Sequence, residues 1–227
     1  MLNKLTAGIF VLMFLVGSIP QAQADFTAGS KAYQSGDYAK ALSEWKPLAE
    51  KGDAAAQRQL GEIYKYGKGV QRNFETAFDW YSKAAHQGDP SAQFELGAMY
   101  EDKQDYQNEA LWLRKAAAQG HVDAMSLLGV IYLDGIVPGA KGGEAVKWFT
   151  AAAKHKDLAS LFLLGHMYAK GMDVKKDLIK AYMWFSIALE YNMLKATNAR
   201  NALVEKMSGE EVATAKKLTS EWLKAQN

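Results

Sequence analysis

The chain has 227 residues, no cysteine, four prolines and a formal net charge of +2, with acidic and basic residues mixed along its length. A charge so close to neutral offers no concentrated basic face, which argues against nucleic-acid binding. The lack of cysteine excludes disulfides, thiolate metal sites and thiol nucleophiles. The abundance of Ala, Leu, Lys and Glu, with few β-branched runs, predicts an all-α protein.

Residues 1–24 have the three-part pattern of a secretory signal peptide. A short start with one cation, Lys4, precedes an almost wholly apolar run from Leu5 to Gly17, and the segment closes in an Ala-x-Ala sequence at Ala24. The apolar run is about 13 residues long, below the roughly 20 that a membrane-spanning helix needs. We therefore expect cleavage after Ala24 and a periplasmic or secreted protein with no membrane span.

A repeated pair of amphipathic helices follows the leader. The first helix of each pair, helix A, carries a Leu-Gly pair with a tyrosine three residues after the glycine. The glycines of these pairs are Gly61, Gly97, Gly129 and Gly165. They are spaced by 36, 32 and 36 residues, and a further step of 32 back reaches Gly29. The spacing predicts five repeats, the first of which opens the mature chain.

Helix B, the second helix of each pair, carries a tryptophan. A glycine inside a helix costs about 1 kcal/mol of stability relative to alanine. The helix-A glycines are therefore useful only where the backbone of another helix must come close. The tryptophans are Trp80, Trp112, Trp148 and Trp184. We expect them to fill the space beside the helix-A glycines. In the first repeat the tryptophan, Trp45, lies one place out of register. Pro47 in the same repeat predicts a bent or shortened helix B.

The turns between helices are rich in glycine. Gly52, Gly88 and Gly120 follow helix B and suit the left-handed residue that ends a helix. The stretch YKYGKGV, residues 64–70, raises the alternative of a phosphate-binding loop around Lys68. A P-loop needs a preceding strand and a Gly-Lys-Ser/Thr end, and neither is present. We interpret the stretch as a helix A-to-B turn, with Val70 packing beneath it.

These motifs resemble the Sel1-like repeat family, a branch of the tetratricopeptide-like solenoids. The matching stretches are LGEIYKYGKGV…FETAFDWYSKAAHQG, LGVIYLDG…EAVKWFTAAA and LGHMYAKGMDVKKDLIKAYMWFSIA. The resemblance covers about residues 26–192, with shorter, more tetratricopeptide-like units at Phe26–Gly52 and Ala92–Gly120. It implies an all-α fold, a right-handed α-solenoid of about five stacked two-helix repeats over residues 25–195, in which stacking buries what one pair cannot.

The residues after the last repeat, 196–227, are expected to form C-terminal capping helices. Residues 198–207 read as one helix. Ser208 followed by Glu211 is a capping box, which predicts a last helix that begins there and runs to about Lys224. A solenoid needs a terminal cap with a polar outer face, and we expect Trp222 to dock this helix.

No catalytic constellation, metal site or cofactor site is predicted. None of the four histidines has zinc-ligand spacing, and we interpret His86, His121 and His155 as surface residues. Ser43 and Lys46 match Ser-x-x-Lys, but the partner motifs of that family are missing, so we interpret the match as chance. We expect a protein that is not an enzyme.

The resemblance also implies a binding surface, because tetratricopeptide repeats line a concave groove with helix-A positions around the glycine. By alignment these positions hold Arg58, Glu62, Lys65, Phe94, Ala98, Glu101, Ser126, Val130, Leu133, Phe162, His166 and Ala169. Phe94, Val130, Leu133 and Phe162 are apolar. This indicates either a groove for a peptide or partner helix, or packing between neighbouring units, and both alternatives stay open.

The leading hypothesis is a non-enzymatic interaction scaffold of the bacterial envelope, monomeric by default, that binds a protein or peptide on the concave helix-A face. Cysteine-rich secreted relatives are described as binding or hydrolysing β-lactams, which gives the alternative of a cell-wall-directed enzyme or binder. Those relatives close each repeat with a disulfide, and this chain has no cysteine. A third hypothesis is a subunit that folds only beside its partners, which the predicted cap disfavours.

Overall fold

The computed structural model describes residues 19–137 and 143–226, with side chains from Phe26 onward, and these residues form twelve α-helices. The helices are α1 (Ile19–Gln34), α2 (Tyr38–Glu50), α3 (Ala54–Tyr66), α4 (Phe74–His86), α5 (Pro90–Glu101), α6 (Tyr106–Ala118), α7 (Val122–Leu133), α8 (Glu144–Lys154), α9 (Leu158–Lys170), α10 (Leu178–Glu190), α11 (Ala196–Val204) and α12 (Gly209–Ala225). The prediction of an all-α fold is confirmed. Most of the predicted signal peptide, residues 1–18, lies outside the described residues.

The first ten helices form five A-to-B pairs, from α1–α2 to α9–α10. The second, fourth and fifth pairs have long connections between their helices, whereas Tyr38 and Tyr106 begin helix B after short ones. This agrees with the predicted difference between the long units and the two short ones. None of the described helices combines the length and the hydropathy of a membrane span.

Aspartate side chains cap six of the twelve described helices at their N-termini. Each accepts a hydrogen bond from the backbone N–H three residues later, which satisfies one of the donors that a helix start leaves unpaired. The capping residues are Asp37, Asp53, Asp89, Asp105, Asp157 and Asp177. Every one of these bonds is local, so the start of each helix is fixed by its own sequence.

The helix-A glycines lie against large side chains of helix B, but the tryptophan prediction is wrong for three of the repeats. A Cβ atom on Gly165 would come within 2.5 Å of the Phe185 ring, and one on Gly129 would overlap Phe149. These side chains, like Leu113 beside Gly97, immediately follow the tryptophans in the sequence. The contact therefore uses the next position along helix B, since successive residues point about 100° apart.

The first pair keeps the same contact with a tryptophan. Trp45 is fully buried, lies against Gly29 and donates a hydrogen bond from Nε1 to the Phe26 carbonyl oxygen at 3.1 Å. Its apparent shift in register is therefore the register that the third, fourth and fifth repeats also use for this contact. Of the two expectations for Pro47, a shortened helix B is wrong, because α2 continues through this exposed residue to Glu50, and a bent helix B stays a prediction.

The glycine turns behave as predicted. Gly52, Gly88 and Gly120 have positive φ angles of 100°, 96° and 90°, and Gly67 ends α3 in the left-handed conformation at φ 68°. Val70 packs against the hydrophobic core beneath this turn. The helix-to-helix interpretation of YKYGKGV is therefore confirmed.

The chain divides into two compact units, one up to Trp80 and the other from Tyr81 onward. In the first unit α2 packs against both α1 and α3, around a core that includes Trp45, Leu60 and Ile63. In the second unit each helix from α5 to α10 packs against the next, and α7 also contacts α9.

Both C-terminal helices of the second unit pack against α10. The capping box is present in full: the Glu211 backbone N–H donates to Ser208 Oγ, and the Ser208 N–H donates to the Glu211 carboxylate. Trp222 meets the buried Trp184 edge to face, with ring centroids 4.7 Å apart, so its predicted docking role is confirmed. The predicted boundary near residue 195 between solenoid and capping helices stays a prediction.

Candidate partner-binding surface

The three candidate residues of the first unit, Arg58, Glu62 and Lys65, lie on α3 and are partly buried. Glu62 belongs to a network that the sequence analysis did not anticipate. Lys68 Nζ lies 3.0 Å from Glu62 Oε1 and donates to the Tyr33 hydroxyl, which in turn donates to Glu62. No local pattern signals this network, because Tyr33 lies on α1, in the preceding repeat.

The same network occupies the lysine of the glycine turn. Lys68 Nζ lies 4.5 Å from the Tyr33 ring centroid and 5.4 Å from that of Tyr66. The hydrogen bond to Tyr33, supported by Glu62, raises the pKa of Lys68. Burial, and then the hydrogen bond to Glu62, raise the pKa of Tyr33. The Lys68 cation is thus already held by a carboxylate and aromatic rings. It is therefore not a free cation that could bind a phosphate.

Phe94, the first apolar candidate of the second unit, stacks on His121 of the next repeat. The two ring centroids are 4.7 Å apart and the ring planes are inclined by 18°. His121 is partly buried and caps α7, because its Nδ1 accepts the Ala124 N–H at 3.3 Å. The prediction of a simple surface residue is wrong for His121. Its alignment with the capping residues Asp89 and Asp157 is the signal that would have revealed this role.

Phe162 and His166 form an aromatic cluster with the buried Phe185. The Phe162 centroid lies 4.6 Å from that of His166 and 5.6 Å from that of Phe185. Burial, and secondly the charge of Lys170, lower the pKa of His166, so its ring is neutral at pH 7. His166 therefore presents an uncharged ring on this helix face.

The remaining candidates differ in exposure. Ser126 donates to Asp157 Oδ2 and accepts from Ser160, both at 3.3 Å. Val130 and Leu133 are partly buried and pack against the core of the second unit, as Phe94 and Phe162 also do. The four apolar side chains therefore contact the core on one side and leave another side accessible. Glu101, in contrast, is exposed at the end of α5.

A buried carboxyl, Glu109, lies on α6, helix B of the third repeat. It is completely buried, and neither of its oxygen atoms has a hydrogen-bond partner among the described residues. The equivalent helix-B position holds a fully buried alanine in every other repeat, namely Ala41, Ala77, Ala145 and Ala181. Burial, and secondly the charge of Glu101, raise the pKa of Glu109 to about 7. Glu109 was not among the residues predicted from the sequence.

The described residues offer no group of three or more His, Cys, Asp or Glu side chains that could hold a metal ion. The Ser-x-x-Lys match lies on α2, where Ser43 and Lys46 are exposed. The Ser43 hydroxyl donates to the Lys40 carbonyl oxygen at 2.8 Å. This geometry gives no support to the β-lactam-directed alternative.

The fold defines the class of protein as an α-solenoid of two-helix repeats. The Sel1 repeat model matches four consecutive segments, residues 54–89, 90–121, 122–157 and 158–190. The match covers more than half of the chain, with the starts of the segments spaced as the glycines are. The chain belongs to the Sel1 repeat family. The pair α1–α2, which precedes these segments, shares the packing but lies outside the match.

Solved structures agree with this assignment. A protective antigen present in uropathogenic Escherichia coli strains, with an SLR fold, is 32% identical over 89% of this chain, at a TM-score of 0.76. This chain spans only 45% of the length of that protein. A Sel1 repeat protein from Oxalobacter formigenes is 32% identical over 75% of this chain and 72% of its own, at a TM-score of 0.70. No protein with a curated description matches the chain significantly.

Proposed function

We propose that this protein is a non-enzymatic scaffold of the bacterial envelope that binds a protein or peptide through its A helices. Sel1 repeat proteins generally serve as protein-interaction scaffolds, and the family is typically non-catalytic. The proposed contact surface in the second unit is the helix-A strip, defined as Phe94, Val130, Leu133, Phe162 and His166.

The observation that carries this proposal is the partial exposure of apolar side chains at related positions of successive A helices. Phe94 and Phe162 each lie three residues before the helix-A glycine, whereas Val130 and His166 each lie one residue after it. All of them are partly buried against folded elements, so their positions are fixed before a partner arrives. A preformed apolar surface loses little conformational entropy on binding.

The test is a binding measurement with a strip variant that carries Phe94→Ser, Leu133→Ser and Phe162→Ser. A partner is first captured from envelope extract, identified and purified. We expect it to bind the parent protein at least about tenfold more tightly than the strip variant, a difference of about 1.4 kcal/mol.

The control variant carries Leu111→Ser, Leu194→Ser and Val204→Ser, which remove three apolar side chains from exposed positions of the same unit. Both variants must keep the helical melting profile of the parent. Equal binding by parent, strip variant and control would contradict the helix-A strip, whereas loss of folding in the strip variant alone would show that these side chains are structural.

The envelope location is a separate part of the proposal, and it rests on the leader pattern of residues 1–24. Cleavage after Ala24 would leave Asp25 as the first residue and retain the remainder of α1. We expect intact-mass measurement of protein from a bacterial envelope fraction to give a chain that begins at Asp25. Recovery of the unprocessed chain in the cytosolic fraction would refute this location.

A further inference from the structure

A cleft of about 460 Å³ opens between α10, α11 and α12, at the far end of the second unit from α5. We call it the C-terminal cleft. Its walls include Ser186 and Glu190 from α10, Arg200 from α11, and Lys216 and Lys224 from α12. This volume lies within the range of small-molecule sites, about 300–1,000 Å³. No residue of the helix-A strip lines it.

The charge of the cleft is unbalanced. Three cationic side chains, Arg200, Lys216 and Lys224, face one carboxylate, Glu190. Among the described residues, none of these four has an ion-pair partner within 4.0 Å. Lys217, beside Lys216 on α12 but outside the cleft, has Glu221 as its partner at 3.9 Å. The unpaired cations of α12 are thus those that line the cleft.

Two buried polar atoms in the cleft wall also lack a partner. Ser186 is only 8% exposed, and its Oγ makes no hydrogen bond within the described part of the chain. Arg200 Nε is buried and is likewise without a hydrogen-bond partner there. A buried polar group left unpaired costs about 1–3 kcal/mol, so each such group in a native structure calls for an explanation.

The Arg200 guanidinium stands close to an aromatic wall. Its carbon Cζ lies 5.8 Å from the Tyr182 ring centroid, and its Nη2 lies 3.4 Å from the exposed Asn201 side-chain oxygen, a long contact. Guanidinium groups present several donors in one plane, which matches the oxygen atoms of carboxylates and phosphates. The cleft therefore combines a planar donor, two further cations and a buried neutral donor.

We propose that the C-terminal cleft binds an oxyanion, the carboxylate or phosphate group of a small molecule or of a chain end. Arg200 is the principal donor, Lys216 and Lys224 supply the attractive charge, and the Ser186 hydroxyl donates a hydrogen bond from the buried side. The Glu190 carboxylate repels the bound anion. It therefore limits the net negative charge of the ligand that the cleft can bind. This proposal is independent of the helix-A strip and holds whether or not that surface binds a partner.

The test is calorimetric titration of the purified protein with inorganic phosphate, with citrate, and with a short peptide in free-acid and C-terminally amidated forms. Ionic strength is held constant with sodium chloride. We expect saturable one-to-one binding of at least one oxyanion. Tighter binding of the free-acid peptide than of citrate identifies a chain end, and the reverse order identifies a small molecule.

Variants then assign the binding to the cleft. Arg200→Gln should weaken it at least about tenfold, as expected for loss of a charged hydrogen bond. Lys217→Gln, which removes the same charge from α12 outside the cleft, should change it less than about twofold. Glu190→Gln should tighten it, because one repulsive charge is removed.

Ser186→Ala separates binding from folding. It removes a hydroxyl that has no hydrogen-bond partner among the described residues, so the melting temperature should stay equal or rise while oxyanion binding weakens. The proposal is overturned if no oxyanion binds beyond the chloride background. It is equally overturned if Arg200→Gln and Lys217→Gln weaken binding to the same extent.

Discussion

Among single residues, Glu109 has the clearest energetic consequence. Its carboxyl is fully buried at a helix-B position that other repeats fill with alanine. Burial raises its pKa in the folded protein from 4.5 to about 7. Because the folded state then holds the proton more tightly than the unfolded state, stability is fully present below about pH 4.5 and is lost as pH rises through 7.

Replacement of Glu109 by glutamine should remove this pH dependence. Between pH 4.5 and pH 8 the parent loses about 3 kcal/mol that the Glu109→Gln variant keeps, from about 1.4 kcal/mol for each pKa unit. Urea unfolding at several pH values measures the difference between parent and variant. It should be small at pH 4.5 and favour the variant at pH 8.

Glu205→Gln is the matched control, since Glu205 is exposed just after α11. Its stability difference from the parent should not change between pH 5 and pH 8. A flat difference for Glu109→Gln as well would show that the buried carboxyl is ionised in the folded protein throughout this range.

Residue roles were predictable from sequence only where the repeats align them. His121 and Glu109 stand in columns otherwise held by aspartate and alanine, so comparison of the repeats would have exposed both. The network of Tyr33, Glu62 and Lys68 has no such signal, because it joins side chains of different helices whose distance depends on packing. Alignment predicts a residue's place in the repeat, whereas its partners require the structure.

For the helix pair, the essential contact is that of the helix-A glycine with the side chain after the helix-B tryptophan. The glycine was predicted correctly from the sequence, and the tryptophan was not. The reason is that the tryptophan and the residue after it on helix B are both large and apolar. Phe149 and Phe185 are fully buried, and Trp148 is only partly buried. Periodicity alone does not separate adjacent apolar positions on a helix that is buried on more than one side.

Gly165→Ala should therefore destabilise the protein although alanine favours helix formation. The added Cβ would lie 2.5 Å from the Phe185 ring, so the buried ring or the two helices, α9 and α10, must shift. Overpacking of this kind costs about 1–3 kcal/mol, and the helix propensity of alanine returns up to about 1 kcal/mol. We expect a net loss of about 1–2 kcal/mol in the free energy of unfolding measured in urea.

Gly209→Ala is the control, because an added Cβ at Gly209, the first residue of α12, meets no atom within 4 Å. It should leave stability unchanged or slightly improved. In a double-mutant cycle, Phe185→Leu should relieve part of the Gly165→Ala penalty. Additive effects of the two substitutions would contradict the proposed contact.

At the scale of the whole molecule, helices within each of the two compact units pack mainly on their neighbours in sequence, which is the pattern of a repeat protein. The repeat period and the fold class followed directly from the sequence because each unit repeats the same residues at the same spacing. The C-terminal cleft was not predictable in this way. Its walls come from α10, α11 and α12, and the latter two follow the last repeat.

Trp222→Ala should have an effect confined to one end of the second unit. The Trp222 ring packs on the buried Trp184, and its loss should cost about 2–3 kcal/mol of stability. In hydrogen exchange we expect faster exchange in α10 and α12 and no change in the first unit. Uniform acceleration through all helices would show instead that the chain unfolds as one cooperative block.

The aspartate caps have a consequence for the history of the gene. Because each cap bond runs to the backbone N–H three residues ahead, a repeat carries its own solution for the start of its aspartate-capped helices. Duplication or deletion of a whole repeat therefore separates none of these aspartates from the helix that it caps. We therefore expect chains of this family to differ in length by whole repeats; the E. coli relative is more than twice as long as the part that this chain matches.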